Sequence, residues 1–432
     1  MPEFSGRGVR TWSIFRATLN FPRQPGLVFG SSLEIVAAQA GAAISVLASA
    51  IASSEDGWRI GADTMISPDA KEPYESVAPR RGAAIDAKIE MDKSTAMANA
   101  AEHQAKGPWV DLHAHPGRSF LLDLDHSDPL TRILGMEACA GAIEEISAAG
   151  MAAVNFATVA DLRVLGLTEK GELFTARAFG HDEAHRDHLR QLGGLAKFAA
   201  TNGIAIVSVA EDIVNAHLTR RTALLFGCEG ADFAEEDLSR IQAAHKLGVR
   251  SITLVHYRPN AFGDLQTSPP AHHGLSQRGR DLVVEMNRLG ILVDLAHASE
   301  ATALQAIEVS TVPITISHTH LQSPGHDHPR LISKDLAKAV AGAGGVIGAW
   351  PAGIASKTFP DFVEEIVRLV DVVGTPHVGI GTDMDANFKP VMTRYQQFAL
   401  IEEALLEKGF HQSEANAILG ANAIRVIRSA CG

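Results

Sequence analysis

Cysteine is scarce in this chain, and its placement excludes two kinds of framework. The three thiols, Cys139, Cys228 and Cys431, are widely spaced and form no C-x-x-C. Neither a knuckle-type structural zinc site nor a dithiol redox pair is therefore encoded. Cys228, beside Glu229 in a strand-like run, reads as a small buried hydrophobe. Positive charge is also short: 38 Lys and Arg stand against 50 Asp and Glu, a net charge of -12. That balance disfavours nucleic acid and anionic lipid headgroups as partners and favours small molecules. Aromatic residues make up only 6%, yet 46% hydrophobic and 20% charged residues describe a globular enzyme with an ample core and not a disordered chain. Internal repeats and low-complexity tracts are lacking from residue 107 onward.

Long uncharged runs are equally rare. One stands out, IVAAQAGAAISVLASAIASS at Ile35–Ser54, preceded by a lead carrying Arg7, Arg10, Arg16 and Arg23. A basic lead, an apolar run and the small triplet Ala48-Ser49-Ala50 have the layout of a secretory signal. The length of the lead and the run's preference for Ala over Leu count against it. Residues 1–54 are read as a signal or an anchor, which puts the protein in the cell envelope or outside. The alternative is a helix packed on the domain of a cytoplasmic protein. Residues 55–106 mix Pro, Gly and charge over 55–90 as a linker and then give a short helix at Met91–Gln104.

From residue 107 to 432 the pattern is strand then helix, repeated, which argues for a parallel α/β fold, a (β/α)8 TIM barrel with an N-terminal extension. WVDLHAHPG at Trp109–Gly117 is the first strand signal, and its two histidines, separated by one residue, project to the same side. Further signals are Ala152–Phe156, Ala205–Val209, Thr222–Glu229, Ser251–His256, Ile291–His297, Ile314–His318, Gly345–Ala349 and Val378–Asp383. That is one more than a barrel needs. Ala205–Val209 is the one to drop, because no titratable side chain closes it. LVVEMNRL at Leu282–Leu289 has helical spacing and stops at Gly290. The Pro- and Gly-rich stretch Arg258–Gly274 follows a strand end, where a barrel builds its substrate pocket.

Strand ends collect His113, His115, Glu229, His256, His297, His318 and Asp383. A single histidine after an apolar run is more often a core or loop residue, but a barrel points every strand's C-terminal end at one face, so the joint pattern is a constellation. His181, His185 and His188 fall in a polar helix-like stretch and His272, His273, His326 and His328 in loops, all read as surface or rim. Five metal-binding groups exceed what one catalytic zinc takes, whereas two ions accommodate them if Glu229 bridges. His113 and His115 then hold one divalent ion and His297 and His318 the other, about 3.5–4 Å apart. Water shared by two such cations becomes a nucleophile near neutral pH, and Asp383 serves as general base and acid.

These residues resemble the membrane dipeptidases, also called renal dipeptidases, zinc peptidases among the amidohydrolase-like barrels. The resemblance runs from Trp109 to the end and is carried by GCEG at Gly227–Gly230, TLVHYRPN at Thr253–Asn260, GLSQRG at Gly274–Gly279, EMNRLGILVDLAHAS at Glu285–Ser299, ISHTH at Ile316–His320 and GIGTDMD at Gly379–Asp385. It implies two zinc ions with Glu229 bridging and His297 and His318 at the second. It also implies that His256 contacts the scissile carbonyl and its developing oxyanion, that Asp383 lies near the attacking water and the substrate amine, and that Arg330, in HPRLIS, grips the carboxylate of a small dipeptide. The chain departs from the family in two places. His113-Ala114-His115 stands where His-x-Asp is usual, raising the site's net charge by one, and GCEGADF puts Ala231 and Asp232 where Gly and His are common.

Three functions stay open at this point. The first is a dinuclear zinc dipeptidase. The second keeps barrel and metals but acts on another small amide, lactam or ester. The third is a catalytically silent metal-binding protein held at the envelope by residues 35–54, which has no need of Asp383. Membrane association through that run and a homodimer are further open alternatives.

Overall fold

The computed structural model describes residues 106–124, 139–167, 173–325 and 328–432, together with Ser127 and the strands Phe15–Leu19 and Leu33–Ala37. The chain divides into two compact units, Met1–Arg81 and Gly82–Gly432. In the first unit the two short strands pair antiparallel, Phe15 opposite Ala37 and Leu19 opposite Leu33. Ile35 to Ala37 of the uncharged run thus lie in a strand. The rest of that run, the linker expected at 55–90 and the helix expected at Met91–Gln104 lie outside the described residues. Among the described residues no helix is long and apolar enough to cross a membrane.

The second unit is a nearly closed eight-stranded α/β barrel of the TIM type. Its strands are β1 Trp109–Ala114, β2 Met151–Val159, β3 Ala223–Glu229, β4 Val249–Thr253, β5 Leu292–Asp294, β6 Thr315–Leu321, β7 Val346–Ala349 and β8 Val378–Ile380. They pair in sequence order, all parallel. A parallel bridge between Ala114 and Met384 draws β1 and β8 together, with the Asp383 N–H donating to the His113 carbonyl at 2.8 Å and the His115 N–H to the Met384 carbonyl at 2.9 Å. β2 reads MAAVNFATV with every residue buried, a largely apolar run as a parallel strand covered on both faces requires, and its Asn155 amide donates to the Leu112 carbonyl at 2.8 Å.

Each strand is followed by helical chain. α1 is Cys139–Ala148, α2 Glu183–Asn202, α3 Ala210–Leu218, α4 Ser239–Lys246, α5 Gln277–Leu289, α6 Glu300–Val309, α7 Lys334–Gly342, α8 Phe359–Val373, α9 Gln397–Glu407, α10 Gln412–Asn416 and α11 Asn422–Cys431. α5 stops at Gly290, φ 76°, as its sequence suggests, but begins at Gln277, ahead of the Leu282 signal, where the Ser276 hydroxyl accepts the Gly279 N–H. Of the surplus strand signal Ala205–Val209 only Ala205–Ile206 pairs, beside β3 and off the ring.

Glycine sets how tightly the strands carrying the site can approach. A Cβ on Gly348 would lie 1.7 Å from the Ser317 carbonyl oxygen, and one on Gly381 would lie 1.8 Å from the same atom and 3.3 Å from the His318 Cβ. β7 and the chain leaving β8 therefore pass against β6 at a distance no other residue permits.

Candidate metal centre

Two buried carboxylates that are not themselves candidates for ligands brace the ends of the strands. Asp111 in β1 accepts from the Thr382 N–H at 2.9 Å, the Thr382 hydroxyl at 2.5 Å, the Tyr395 hydroxyl at 3.0 Å and the His113 N–H at 3.2 Å. It thereby ties the segment bearing His113 to the one bearing Asp383. Asp294, the last residue of β5, accepts from the Thr253 hydroxyl at 3.0 Å and from the N–H groups of Ala296 at 3.0 Å and Ser317 at 2.9 Å. That bends the chain out of the ladder toward His297.

Glu229, at the end of β3, stands between two histidine pairs. On one side His113 Nε2 is 3.3 Å from Oε1 and His115 Nε2 is 3.3 Å from Oε2, with the two ring nitrogens 3.2 Å apart. On the other side Oε1 is 2.9 Å from His297 Nε2 and 3.6 Å from His318 Nε2, and those nitrogens are again 3.2 Å apart. Each pair with Glu229 forms a buried group able to hold a metal ion. A tetrahedral zinc with ligands at about 2.0–2.1 Å requires neighbouring donor atoms about 3.3–3.4 Å apart, and these contacts cluster around that length. The donors' far sides agree. His115 Nδ1 donates to the Ala157 carbonyl at 3.0 Å, which leaves the Nε2 lone pair free, and His318 Nδ1 pairs with the Ser317 hydroxyl at 2.9 Å. The residues present fit two divalent cations.

Electrostatics set the two histidine pairs apart: burial opposes a proton on His113, but the Glu229 charge outweighs it and raises this imidazole to about 9, whereas the second pair is held neutral. Burial, reinforced by the Arg330 charge, holds His297 well below the ordinary imidazole range, and burial with His113 and Arg330 does the same to His318; both are neutral, as ligands must be. Burial opposes ionisation of Glu229, but the neighbouring His256 and His113 outweigh it and keep the carboxyl well below the usual carboxylate range. Asp383, 3.5 Å from His115 Nε2 through Oδ1, is pushed up to about 6 by burial, with the Glu229 charge adding to the shift and His115 opposing it.

All eight residues singled out in the sequence gather at this one end of the barrel, but four of them, His115, His256, His297 and Asp383, lie past the last residue of their strands. β4 stops at Thr253, β5 at Asp294 and β8 at Ile380, whereas the sequence extended them to His256, His297 and Asp383. His297 and Asp383 have φ of 66° and 52°, left-handed conformations that end an extended run and that non-glycine residues hold at a cost. Arg330 is buried at 1% exposure. Its Nη1 donates to Gln266 Oε1 at 2.7 Å, Nη2 lies 3.1 Å from His297 Nε2, and the guanidinium sits 5.1 Å over the Trp350 ring. Among the described residues no carboxylate lies within ion-pair distance of it. The Arg258–Gly274 stretch and the segment around Pro329–Leu336 wall a cavity of about 510 Å³ that Gln266 also lines.

Several participants escape the sequence reading. Gln266 and Trp350 hold Arg330 but carry no motif. Asp161 lies two residues past the end of β2, so the rule that strand ends carry the chemistry would have found it had the strand been extended beyond Phe156. His188, expected at the surface or a rim, is buried on α2 with its ring stacked on Phe233, centroids 3.7 Å apart and planes within 4°. It occupies the inner face with Ala184, Leu192 and Leu195 at helical spacing, and its neighbours are apolar.

A protein-family model described as membrane dipeptidase (peptidase family M19) matches residues 158–431. That span holds Glu229, His256, His297, His318, Arg330 and Asp383, and it begins beyond β1 with its two histidines. The dipeptidase tcpJ of Claviceps purpurea is 29% identical over 258 residues, 57% of this chain and 61% of that protein. The chain spans about half to three fifths of the length of the curated relatives it matches. Among solved structures, the metallopeptidase dipeptidase AC of family M19 superposes with a TM-score of 0.64 at 21% identity, covering 76% of this chain and 99% of that one. A metallopeptidase from Rhodobacter sphaeroides, bound to a phosphinate mimic of the dipeptide L-Ala-D-Ala, gives 0.63 at 20% identity over 75% and 99%. At these identities the likeness is one of fold.

Proposed function

The chain belongs to the membrane dipeptidase family, peptidase family M19, and on that premise we propose that it is a dinuclear metallo-dipeptidase, with zinc as the expected metal, that cleaves small free dipeptides. The observation that carries the metal half is Glu229 wedged between two histidine pairs whose Nε2 atoms are each 3.2 Å apart. What supports a dipeptide over other amides is Arg330, a buried guanidinium 3.1 Å from His297 Nε2, with an amide and an aromatic face for neighbours and, among the described residues, no carboxylate within ion-pair distance. A substrate's free carboxylate supplies that missing counter-charge.

In this reading His113 and His115 would hold one ion, His297 and His318 the other, and Glu229 would serve both. Two divalent cations bound there supply Lewis acidity and water made acidic enough to attack near neutral pH. The protein's own groups do the rest. Arg330 fixes the substrate by its C-terminal carboxylate through paired hydrogen bonds. The Nε2–H of His256 meets the carbonyl oxygen where negative charge builds up. Asp383 takes the proton from the attacking water and hands it to the leaving amine.

The decisive experiment is metal analysis of the purified protein combined with hydrolysis assays on a dipeptide panel that includes D-residues at the C-terminus. About two zinc equivalents per chain are expected, with activity lost on chelation and restored by zinc. Undiminished hydrolysis by metal-free protein, or no cleavage of any dipeptide by the metal-loaded one, would overturn the proposal.

A further inference from the structure

The turn after β2 makes a contact that the mechanism above leaves unused. Asp161 is fully buried, and its two carboxylate oxygens divide their work. Oδ1 lies 2.6 Å from His256 Nδ1, while Oδ2 accepts the backbone N–H groups of Tyr257 at 3.1 Å and Arg258 at 2.9 Å. The preceding residue anchors the same turn to the metal centre, the Ala160 N–H donating to the Glu229 carbonyl at 2.8 Å. One carboxylate thus fixes both where the chain leaves β4 and how the His256 ring is turned. The far edge of that ring faces the candidate metal centre, Nε2 lying 3.3 Å from Glu229 Oε2. Nδ1 meets a carboxylate oxygen, which only accepts, so this nitrogen carries hydrogen. The rings of Tyr257 and His297 pack against the imidazole at steep angles, with centroids 4.7 Å and 4.6 Å away.

We propose that Asp161 is the positioning residue of His256, holding Nδ1–H so that Nε2–H is presented to the carbonyl oxygen of the bound substrate. This rests on the dipeptidase reading for what His256 does, but not for how it is held. A carboxylate is needed for both tasks. In Asp161→Asn the amide oxygen can serve the two backbone N–H groups, but its NH₂ then faces Nδ1, which has to become an acceptor and give up its hydrogen.

The test uses the full-length, zinc-loaded protein. Asp161→Asn is expected to lower kcat about ten- to hundredfold on the best dipeptide, the worth of one charge-assisted hydrogen bond, with KM within about twofold and metal content and Tm unchanged. In a His256→Gln background the same substitution is expected to change kcat less than about twofold. A substrate-independent readout is the ring N–H proton of His256 in the NMR spectrum. It is expected at low field in the wild type and missing from both single variants. Equal losses of kcat in both backgrounds would mean that Asp161 merely shapes the loop, and the idea falls. It falls equally if the wild type shows no such resonance, a measurement that stands even where Asp161→Asn does not fold. If the wild type cleaves no dipeptide, the functional reading fails while the resonance still decides the positioning.

Discussion

Arg330 is the residue at which stability and function pull in opposite directions. A buried cation whose neighbours are a glutamine oxygen and an indole face lacks the carboxylate that normally offsets its desolvation. Replacing it with Met, of similar length, removes that cost. Arg330→Met is therefore expected to have a Tm no lower than the wild type in the substrate-free enzyme. On free dipeptides it should lose about tenfold to a thousandfold in kcat/KM, at about 1.4 kcal/mol per factor of ten for paired charge-assisted hydrogen bonds. A dipeptide amide, which has no carboxylate to bind, should lose little further, so the substrate acts as the second deletion of a double-mutant cycle. Equal losses on acid and amide, together with a lower Tm, would make Arg330 a structural residue.

At the scale of strands and turns, the legible part of the site is what repeats. A parallel barrel sends every strand's C-terminal end to one face, so apolar runs closing on His or Glu can be collected without knowing any contact. What is not legible is set by contacts between elements. That His297 and Asp383 turn left-handed beyond their strands depends on Asp294 and Asp111 gathering N–H groups from neighbouring strands, and local propensity disfavours such φ values outside glycine. β2 runs on past Phe156 because its residues from Ala153 to Val159 all pair with β3, which carries the chain to Asp161. Gly381 shows how such contacts act at a distance. An added methyl there would have to displace the carbonyl of Ser317, the residue before His318, one of the proposed metal ligands. Gly381→Ala is expected to lower Tm by several degrees and reduce bound zinc below two equivalents, since overpacking costs about 1–3 kcal/mol or more. Gly141→Ala in α1 is the control: nothing lies within 4 Å of its added Cβ, and it should raise stability by about 0.5–1 kcal/mol with full metal content. A Gly381→Ala protein with normal Tm and two zincs would show that β6 and β8 have room to spare.

For the whole molecule, the response to acid follows from groups buried away from the metal centre. His188 is pushed down to about 3 by burial, with His185 adding to it; the Cys228 thiol 3.8 Å from its Nδ1 is itself raised to about 12 by burial and stays protonated. The unfolded chain takes up a proton on this histidine near pH 6.5 and the folded one does not. Its contribution is therefore fully present above pH 6.5 and is lost as pH falls toward 3, by about 1.4 kcal/mol per pH unit. Glu365 on α8 has the opposite sign. Burial raises it to about 7 against the Leu321 N–H and Arg368, so the folded state holds a proton between pH 4.5 and 7 that the unfolded state has released. Ionising it costs stability as pH rises through that window. The two slopes offset each other between pH 4.5 and 6.5, and of these two groups only His188 goes on losing stability below pH 4.5. Unfolding free energies of the wild type, His188→Phe and Glu365→Gln across pH 4.5–8 separate the two, and differences from the wild type cancel the titration of the metal ligands common to all three. Phe keeps the stack on Phe233 without a titratable nitrogen. From pH 6.5 to 4.5 the wild type should lose about 2 kcal/mol relative to His188→Phe, and Glu365→Gln should lose stability more steeply than the wild type. A flat difference for His188→Phe would mean that this ring gains its proton in the folded protein as readily as in the unfolded chain, and that the Phe233 stack is open to water.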